Sequence, residues 1–464
     1  MGNTILGANT LSSGYEVANS CMFNDGDSAC MHKTPSGSGN RRTFTFSTWV
    51  KKTNKLTSNV YNDLYSAYED ANNISRILFW DSNAITLSNK VSGSFPTFIR
   101  TNRLMRDPTT WFHLVVAVDT TDGTEANRVK IYVNGIQETS LESSNYPSQN
   151  EDFFFNHTNE HNVGQQGDDD SALYFDGYLA ETVMIDGLQL APTSFGEFDE
   201  DSPQIWKPID VSGLTFGTNG FYLDYEDSSN LGNDKSGGTD FTEVNLAATD
   251  QSTDTCTNNF ATLNPLVKGN TSFTFLQGNI QVDSGNNWGH GVGTIGLASG
   301  KWYWEVDNIT ASSNVFFGIC NEFNVSHLDN DSTPYSEAGL MLYFQDGRRT
   351  IDGTSSEGEY NAYGTTHGFA LDLDSGTRTI KFYRDNSLEG TENLTANFPA
   401  GDFVFPILMM SASSNACGVD FNFGGTVASA LASGNADANG YGSFEFAPPS
   451  GYYAICSKNL AEYG

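Results

Sequence analysis

The chain has 464 residues, of which 23 are Lys or Arg and 56 are Asp or Glu, so its formal net charge is −33. This charge repels phosphate backbones, and no apolar run approaches the roughly 20 residues of a membrane helix, so we expect neither a nucleic-acid partner nor membrane insertion. The first 17 residues lack the basic and apolar regions of a signal peptide, which predicts synthesis in the cytoplasm without export.

Strand patterns dominate the first third of the chain, and no helix of ordinary length is predicted. In the segment 44–50, Phe44, Phe46 and Val50 share one face of a strand and Trp49 lies on the other. Residues 111–118 form a continuous apolar run, which is typical of a strand covered on both faces.

The next predicted strand ends in a hairpin signal. Val129, Ile131 and Val133 alternate with Lys and Tyr, which indicates a strand with one buried face. Asn134 and Gly135 follow, and both residue types tolerate the positive φ angles of a tight turn. The chain is therefore expected to turn back on itself at this point.

The last third of the chain repeats these patterns. Trp302, Trp304 and Val306 share one face of a predicted strand, and the strand, turn and strand of 368–390 look like a second version of 111–138. Two such units predict an all-β chain with two related antiparallel β-sandwiches, and not one large barrel.

Between and after these regions the composition changes. Apolar residues become scarcer and Ser, Thr, Asn, Asp and Gly become more frequent in a connector that still contains one strand pattern at 220–225. The C-terminal tail is rich in Ala, Ser and Gly before a short apolar end at 452–456 that predicts a final strand. The predicted organisation is a sandwich, an ordered connector, a second sandwich and a tail, over residues 1–205, 206–264, 265–424 and 425–464.

The first predicted sandwich resembles a laminin G-like, concanavalin A-like domain. The residues that carry this resemblance are 44–51, 111–116, 129–135 and 174–181. It implies a jelly-roll type sandwich of two antiparallel sheets, in a family whose members mostly bind sugars or proteins.

The second predicted sandwich resembles a SPRY domain, a related sandwich that binds its partners through loops at one end. Six segments appear in the order expected for this family, at 300–306, 315–320, 339–344, 368–374, 381–384 and 403–408.

These two domains in one acidic chain, with the connector segment 254–265, are similar to bacteriophage virion proteins, marine ones in particular. The resemblance implies a non-enzymatic adhesive or structural subunit of the virion, such as a short tail fibre, spike or receptor-binding protein. Its expected partners are a host glycan or receptor, other virion proteins and further copies of itself, for instance in a trimer. Two alternatives stay open, a capsid decoration or head fibre and a polysaccharide-degrading depolymerase.

One cluster of carboxylates is a candidate metal site. Asp168, Asp169 and Asp170 would repel one another, and Ca²⁺, which takes carboxylate oxygens as ligands, would relieve that repulsion. Domains of the laminin G-like type often hold calcium on edge loops, as the resemblance implies. The alternative is a solvated acidic loop in a very acidic protein.

Loop aromatics are candidate sugar-binding residues, because a sugar ring stacks on a flat aromatic ring. Trp288 and His290 lie in a Gly-rich segment that strand packing does not explain, and Tyr360 and Tyr363 lie in a second such segment. The alternative is that these side chains pack at the rim of the domain.

A zinc-protease pattern is expected to be fortuitous. His157, Glu160 and His161 match the spacing H-x-x-E-H, which binds zinc only when a helix brings both histidines to one face. The flanking Gly and Asp residues predict a loop, so we interpret these histidines as structural.

A pair of carboxylates, Glu305 and Asp307, falls on one face of a predicted strand, as in concanavalin-like hydrolases. The third acidic position of that pattern is occupied by Thr310, and the strand belongs to the SPRY-like region. A solvated strand face is therefore the favoured interpretation.

The six cysteines contain no C-x-x-C pair, which argues against zinc binding and redox chemistry. We expect reduced thiols, with a bridge between Cys21 and Cys30 as the alternative.

Overall fold

The structure is a computed structural model, and its described residues divide into two compact units. Of the described residues, those up to Thr257 form one unit, called the first sandwich, and those from Asn258 onward form the other, called the second sandwich. The residues described are 14–54, 60–167, 173–268, 273–284, 288–310, 314–322, 339–344, 349–351, 354–356, 366–411 and 417–464.

The first sandwich consists of short and medium strands with four single 3-10 turns. The turns are Asp25–Asp27, Glu125–Asn127, Pro192–Ser194 and Ala248–Asp250. The strands are β1 (Ser20–Phe23), β2 (Cys30–Lys33), β3 (Thr43–Lys52), β4 (Asn62–Asp70), β5 (Asn73–Trp80), β6 (Ala84–Val91), β7 (Ser94–Leu104), β8 (Phe112–Asp119), β9 (Val129–Val133), β10 (Ile136–Gln137), β11 (Leu141–Asn145), β12 (Glu160–Val163), β13 (Gly177–Asp186), β14 (Gly196–Phe198), β15 (Trp206–Pro208), β16 (Phe221–Leu223), β17 (Thr242–Val244) and β18 (Gln251–Ser252).

The second sandwich is also built from strands and closes with a short helix, α1 (Ser457–Tyr463). Its strands are β19 (Leu263–Lys268), β20 (Phe273–Leu276), β21 (Gln281–Ser284), β22 (Trp288–Gly293), β23 (Lys301–Thr310), β24 (Asn314–Asn321), β25 (Leu340–Phe344), β26 (Arg349–Ile351), β27 (Thr354–Ser356), β28 (Thr366–Asp372), β29 (Thr379–Arg384), β30 (Ser387–Asn393), β31 (Val404–Ser411), β32 (Cys417–Asn422) and β33 (Tyr453–Ala454).

Two antiparallel sheets form the first sandwich. Sheet I has the order β10-β9-β8-β3-β13-β1-β18, with β16 also paired to β13, and sheet II has the order β11-β7-β6-β5-β4-β12-β2-β17. Phe44, Phe46 and Val50 of β3 point into the core between the sheets, whereas Trp49 packs on the outer side of sheet I. The predicted alternation in this strand is confirmed.

The hairpin between β9 and β10 is confirmed as well. Asn134 and Gly135 have φ angles of 47° and 76°, so both adopt the left-handed conformation that the turn needs. Val129, Ile131 and Val133 of β9 lie in the core. Both the turn and the buried face could be predicted from the sequence, since each depends on neighbouring residues alone.

The segment that composition set apart as a connector supplies strands to the first sandwich up to Thr257. Its strand β16 pairs with β13, β17 pairs with β2 and β18 pairs with β1, so both sheets receive strands from it. Phe221, Leu223 and Phe241 enter the core between the sheets.

The second sandwich also has two sheets. Sheet III has the order β19-β22-β31-β24-β25-β26-β27, and sheet IV has the order β20-β21-β32-β23-β28-β29-β30, with β33 parallel to β23. Trp302, Trp304 and Val306 of β23 lie in the core, as predicted. The predicted all-β class, with antiparallel sheets packed as sandwiches, is confirmed.

The two predicted hairpin units are equivalent in outline. Strands β8, β9 and β10 run consecutively and antiparallel, as do β28, β29 and β30. Asp385 and Asn386 have φ angles of 43° and 66° at the second turn. Each turn is followed by an exposed aliphatic residue, Ile136 at 58% and Leu388 at 57% exposure.

The tail of the second sandwich covers the outer face of sheet IV. Phe444, Tyr452 and Ala454 pack there with Tyr303 and Ala370. The predicted final strand is confirmed, because β33 pairs with β23. Among the helices in the described residues, none has the length and apolar character needed to cross a membrane.

The cysteines that the structure describes are free thiols, including Cys21 and Cys30, and Cys21, Cys30, Cys320 and Cys456 are buried. The reduced state is the one expected from the sequence, and the alternative bridge between Cys21 and Cys30 is wrong.

Candidate functional site

The sugar-binding candidates of the second sandwich fall in different places. Trp288 is the first residue of strand β22, whose backbone pairs with β31, so the predicted loop is a strand from this residue onward. His290 lies in the same strand and is 5% exposed, and burial lowers its pKa to about 4, so it is neutral near pH 7. Tyr360 and Tyr363 lie outside the described residues. Their role in sugar binding stays a prediction.

The calcium candidates Asp168, Asp169 and Asp170 also lie outside the described residues. Within the described ranges, no group of three or more His, Cys, Asp or Glu side chains is arranged to hold a metal ion. The calcium site therefore stays a prediction.

The histidines of the zinc-like pattern are not on a helix. His161 lies in strand β12, where its Nε2 accepts a hydrogen bond from the N–H of Asn156 and its Nδ1 donates to the carbonyl of Asn159, each at 2.9 Å. Burial lowers the pKa of His161 to about 3. With both ring nitrogens bonded to backbone, it is a structural residue as predicted, although it lies in a strand and not in the predicted loop.

The prediction of a solvated strand face is wrong for Glu305. It is 1% exposed, and its carboxylate accepts hydrogen bonds from the hydroxyl of Tyr303 at 2.9 Å and from the N–H groups of Glu445 and Phe446 at 2.8 and 2.9 Å. Burial raises the pKa of Glu305. This carboxylate fastens the tail to the outer face of sheet IV.

Asp307, the second carboxylate of that pair, faces another acid. It pairs in register with Asp420 of β32, which accepts a hydrogen bond from Gln281 at 2.7 Å. Partial burial and the charge of Asp420 raise the pKa of Asp307 to about 7.

A buried Ser–His pair on the outer side of sheet I has the wrong tautomer for catalysis. The indole N–H of Trp206 donates to Nδ1 of His113 at 3.0 Å, so the proton of His113 is on Nε2, which lies 2.8 Å from Oγ of Ser47. Since Nε2 donates to this oxygen, His113 cannot accept the serine proton. The ring of Trp49 stacks on His113 with centroids 4.9 Å apart, and the ring of Trp206 lies beside His113 with centroids 6.1 Å apart.

A chain of partly exposed aromatic rings crosses the outer face of sheet II. Trp80 of β5 and Phe98 of β7 point outward, because their neighbours Phe79 and Ile99 are in the core. The ring centroids are 4.6 Å apart for Tyr61 and Trp80, and 5.1 Å apart for Trp80 and Phe98. Phe95, 40% exposed, continues the chain, 5.8 Å from Phe98. We call this surface the aromatic face, formed by Tyr61, Trp80, Phe95 and Phe98.

Cations border these rings. The guanidinium carbon of Arg100 lies 5.9 Å from the ring centroid of Trp80, and that of Arg76 lies 5.9 Å from the ring of Tyr61. Nζ of Lys90 lies 5.7 Å from the ring of Phe95. Attraction between a cation and an aromatic ring holds such pairs in place.

Hydrogen-bonding groups hold the arginines in fixed positions. Arg100 donates from Nη2 to Oδ1 of Asp81 at 3.0 Å and to Oγ of Ser82 at 2.7 Å. Arg76 donates from Nε to Oδ1 of Asp63 at 2.7 Å. The aromatic face is thus a set of apolar rings edged by polar groups whose geometry is fixed.

Small residues lie beneath the rings. Thr86 and Ser88 of β6 are fully buried, and Ser88 pairs in register with Phe98. Their hydroxyl oxygens have no hydrogen-bond partner among the described residues. Small side chains here leave room for the larger rings of neighbouring strands to lie over the sheet.

Sequence reasoning missed the aromatic face. Phe79 and Trp80 are adjacent in the chain, and adjacent strand residues point to opposite faces, so one of the two had to be outside the core. The pattern of Phe95, Phe98 and Arg100 on one strand was a second signal. Neither shows that Trp80 and Phe98, from strands separated by β6, come within 5.1 Å.

The first sandwich contains the match to a known family. Residues 24–187 match the family model described as the concanavalin A-like lectin/glucanases superfamily, and this span includes the whole aromatic face. No curated protein matches the chain.

Several solved structures are similar to this chain. Stonustoxin is 16% identical over 35% of this chain and 27% of its own length, with a TM-score of 0.28. The SPRY domain of human HERC1 is 17% identical over 34% of this chain and 96% of its own length, with a TM-score of 0.28. A candidate carbohydrate-binding protein from Bacteroides ovatus is 13% identical over 49% of this chain and 58% of its own length, with a TM-score of 0.34.

This chain thus spans about a quarter of stonustoxin and less than two thirds of the Bacteroides protein. Residues 24–187 are similar to the concanavalin A-like lectin/glucanases superfamily, and SPRY domains are among the solved structures to which the chain is similar.

Proposed function

We propose that this protein binds carbohydrate and that the aromatic face of sheet II is the surface that holds the sugar. The observation that carries this proposal is the row of partly exposed rings of Tyr61, Trp80, Phe98 and Phe95. It lies inside the span that matches the concanavalin A-like lectin/glucanases superfamily.

The chemistry of the surface suits a sugar. The apolar C–H groups on one side of a sugar ring pack on a flat aromatic ring, as they would on Trp80. The hydroxyl groups around the sugar's edge require both donors and acceptors. Arg100 supplies donors and Asp81 supplies acceptors beside the ring of Trp80.

The proposed setting is a bacteriophage virion, in which the chain is a non-enzymatic adhesive or structural subunit. This part is supported by the domain combination that resembles marine phage virion proteins. The subunit would contact a host glycan or receptor and neighbouring virion proteins, as a homo-oligomer such as a trimer. A capsid decoration and a polysaccharide depolymerase are the alternatives that experiments must separate from it.

Binding is tested on an array of neutral and acidic oligosaccharides with the full chain. The variants Trp80→Ala and Trp80→Leu remove the flat ring, and Trp80→Leu keeps an apolar cover over the sheet. We expect both to lose at least about tenfold in affinity. The control is Phe198→Ala, because Phe198 is 41% exposed and lies outside the aromatic face.

An array on which wild-type protein retains no oligosaccharide would overturn carbohydrate binding. Equal binding by wild-type protein and Trp80→Leu would overturn the aromatic face as the site. Thermal melts of each variant show that the loss comes from the surface and not from unfolding.

The virion setting needs separate measurements. Antibodies against the chain should label the tail end of purified particles, and labelling all over the head would replace the adhesive role with capsid decoration. Release of new reducing ends from host polysaccharide by the purified chain would contradict the non-enzymatic role.

A further inference from the structure

A cavity of about 380 Å³ opens in the first sandwich where β7 ends. The chain that leaves β7, the start of β8 and the turn after β9 surround it. Its lining includes Arg103, Arg106, Asp107, Trp111 and Asn134.

Arg106 differs from the other arginines of the first sandwich. It is exposed, and it makes no hydrogen bond or ion pair with any residue in the part of the chain that the structure describes. The others bind carboxylates or backbone carbonyls, namely Arg41, Arg42, Arg76, Arg100, Arg103 and Arg128.

The other two charged side chains of the cavity, Arg103 and Asp107, have partners of their own. Nε of Arg103 lies 2.6 Å from Oε1 of Glu138. Oδ1 of Asp107 accepts hydrogen bonds from the N–H and the hydroxyl of Thr109, at 2.9 and 2.6 Å, which fixes this carboxylate within its own turn. Asp107 keeps its negative charge, and the guanidinium of Arg106 is the cation of the cavity that an anionic group can contact directly.

Asn134 adds a second donor. Its Oδ1 accepts the N–H of His113 at 2.8 Å, so the amide orientation is fixed and Nδ2 is at the other end of the side chain. No partner of this NH₂ group is present among the described residues. A guanidinium and an amide NH₂ together suit an acceptor-rich group.

Trp111 supplies a rigid wall. Its indole N–H donates to Oδ1 of Asp254 at 2.9 Å, and Asp254 is held by the buried ammonium of Lys51 at 2.6 Å. An aromatic wall beside a free guanidinium is the combination that holds a sugar ring and an acidic substituent at once.

We propose that this cavity binds the acidic group of a sugar, either the carboxylate of a uronic acid or a sulfate ester. The proposal rests on the carbohydrate-binding function above and names the ligand class. Strand β7 joins the two surfaces, since Phe98 and Arg103 are five residues apart, roughly 17 Å along a strand.

The net charge of −33 does not oppose this assignment at close range. At physiological ionic strength the repulsion from distant carboxylates is screened beyond about 8 Å. The contact between Arg106 and an anion is shorter than that distance, so the local pair decides the affinity.

The test uses three monosaccharides, D-glucuronate, D-glucose 6-sulfate and neutral D-glucose, titrated into the full ¹⁵N-labelled chain. The indole N–H signal of Trp111, identified with the variant Trp111→Phe, reports binding in the cavity. We expect one or both anions to bind at least about tenfold more tightly than glucose, and the tighter anion identifies the natural substituent.

Two variants make the test specific. Arg106→Gln should abolish the preference for the anions, whereas Arg42→Gln, the same charge change at an exposed ion pair, should keep it. The assignment would be overturned if wild-type protein bound glucose and both anions with equal affinity. It would also be overturned if Arg106→Gln and Arg42→Gln showed the same preference for the anions.

Trp80→Leu separates this inference from the proposed function. The cavity does not include Trp80, so the Trp111 response to the anions should persist in Trp80→Leu. Oligosaccharide binding that depends on Trp80, without an anion response at Trp111, overturns the cavity assignment and leaves the proposed function standing. An anion response at Trp111 without Trp80-dependent oligosaccharide binding overturns the aromatic face as the sugar site and leaves the cavity assignment standing.

Discussion

The two outer faces of the first sandwich carry different kinds of aromatic residue. On sheet I, the ring of Trp49 stacks on His113, and both lie under a segment of the chain that includes Trp206, which is 7% exposed. On sheet II, the rings of Trp80 and Phe95 remain partly exposed. The rings of Trp49 and Trp206 stabilise the fold, whereas those of Trp80 and Phe95 are accessible to a ligand.

The difference arises from the segment that follows β13. Its residues Phe195, Trp206 and Val211 pack on the outer side of sheet I. Gly135 permits the close contact, because a Cβ atom there would lie 2.4 Å from the ring of Trp206. A covered face and an exposed face therefore predict opposite responses to mutation.

The largest effect is expected from Trp206→Ala. It leaves a cavity over sheet I and removes the donor to Nδ1 of His113, so we expect a loss of about 3–5 kcal/mol in the free energy of unfolding. Urea unfolding measures this loss, and Phe198→Ala, on the rim of the same cover, should cost less than about 1 kcal/mol. Reduced glycan affinity in folded Trp206→Ala would show that the two faces are coupled.

The free energy of unfolding should depend on pH by up to about 3 kcal/mol because of Glu181. This residue is buried beside Tyr222 and Tyr15. Burial raises its pKa from 4.5 to about 7. The folded state therefore binds the proton more tightly than the unfolded state, and the stability from this group is lost as pH rises from about 4.5 through 7. In urea unfolding, the free energy of unfolding of Glu181→Gln should equal that of wild type at pH 4.5 and exceed it at pH 8. If this free energy changed with pH in the same way in both proteins, the prediction would be wrong.

In the second sandwich, Glu305→Ala should lower the free energy of unfolding by about 2 kcal/mol. Here the hydrogen bonds of a carboxylate hold the covering segment on the sheet. The variant leaves the N–H groups of Glu445 and Phe446 without their acceptor. Hydrogen exchange at these two amides should accelerate, and Glu305→Gln, which keeps one acceptor oxygen, should show a smaller change. Unchanged exchange would show that apolar contacts alone hold the tail.

The smallest stability effect is expected from Phe95→Ala on the exposed face. Because the ring is 40% exposed, the free energy of unfolding should change by no more than about 0.5 kcal/mol, while glycan affinity falls a few-fold. Calorimetry with an oligosaccharide from the array measures the affinity. A larger loss of stability than of affinity would place Phe95 with the packing residues of sheet I.

Part of the candidate site was accessible from the sequence and part was not. The alternation in β3, β9 and β23 predicted which residues enter the cores, and the structure agrees. The predictions for Trp288 and Glu305 show the limit of local patterns. Trp288 begins a strand where the Gly-rich segment indicated a loop, and Glu305 is buried where its strand indicated a solvated face.

The sequence by itself determined the all-β class, the inward faces of the strands and the turn at Asn134 and Gly135, because each depends on residues that are neighbours in the chain. Only the tertiary structure decided which outer faces are covered. Tyr61, Trp80 and Phe98 come together because β4, β5, β6 and β7 lie side by side in sheet II. Such pairings join residues far apart in the chain, and a period of two along each strand carries no information about them.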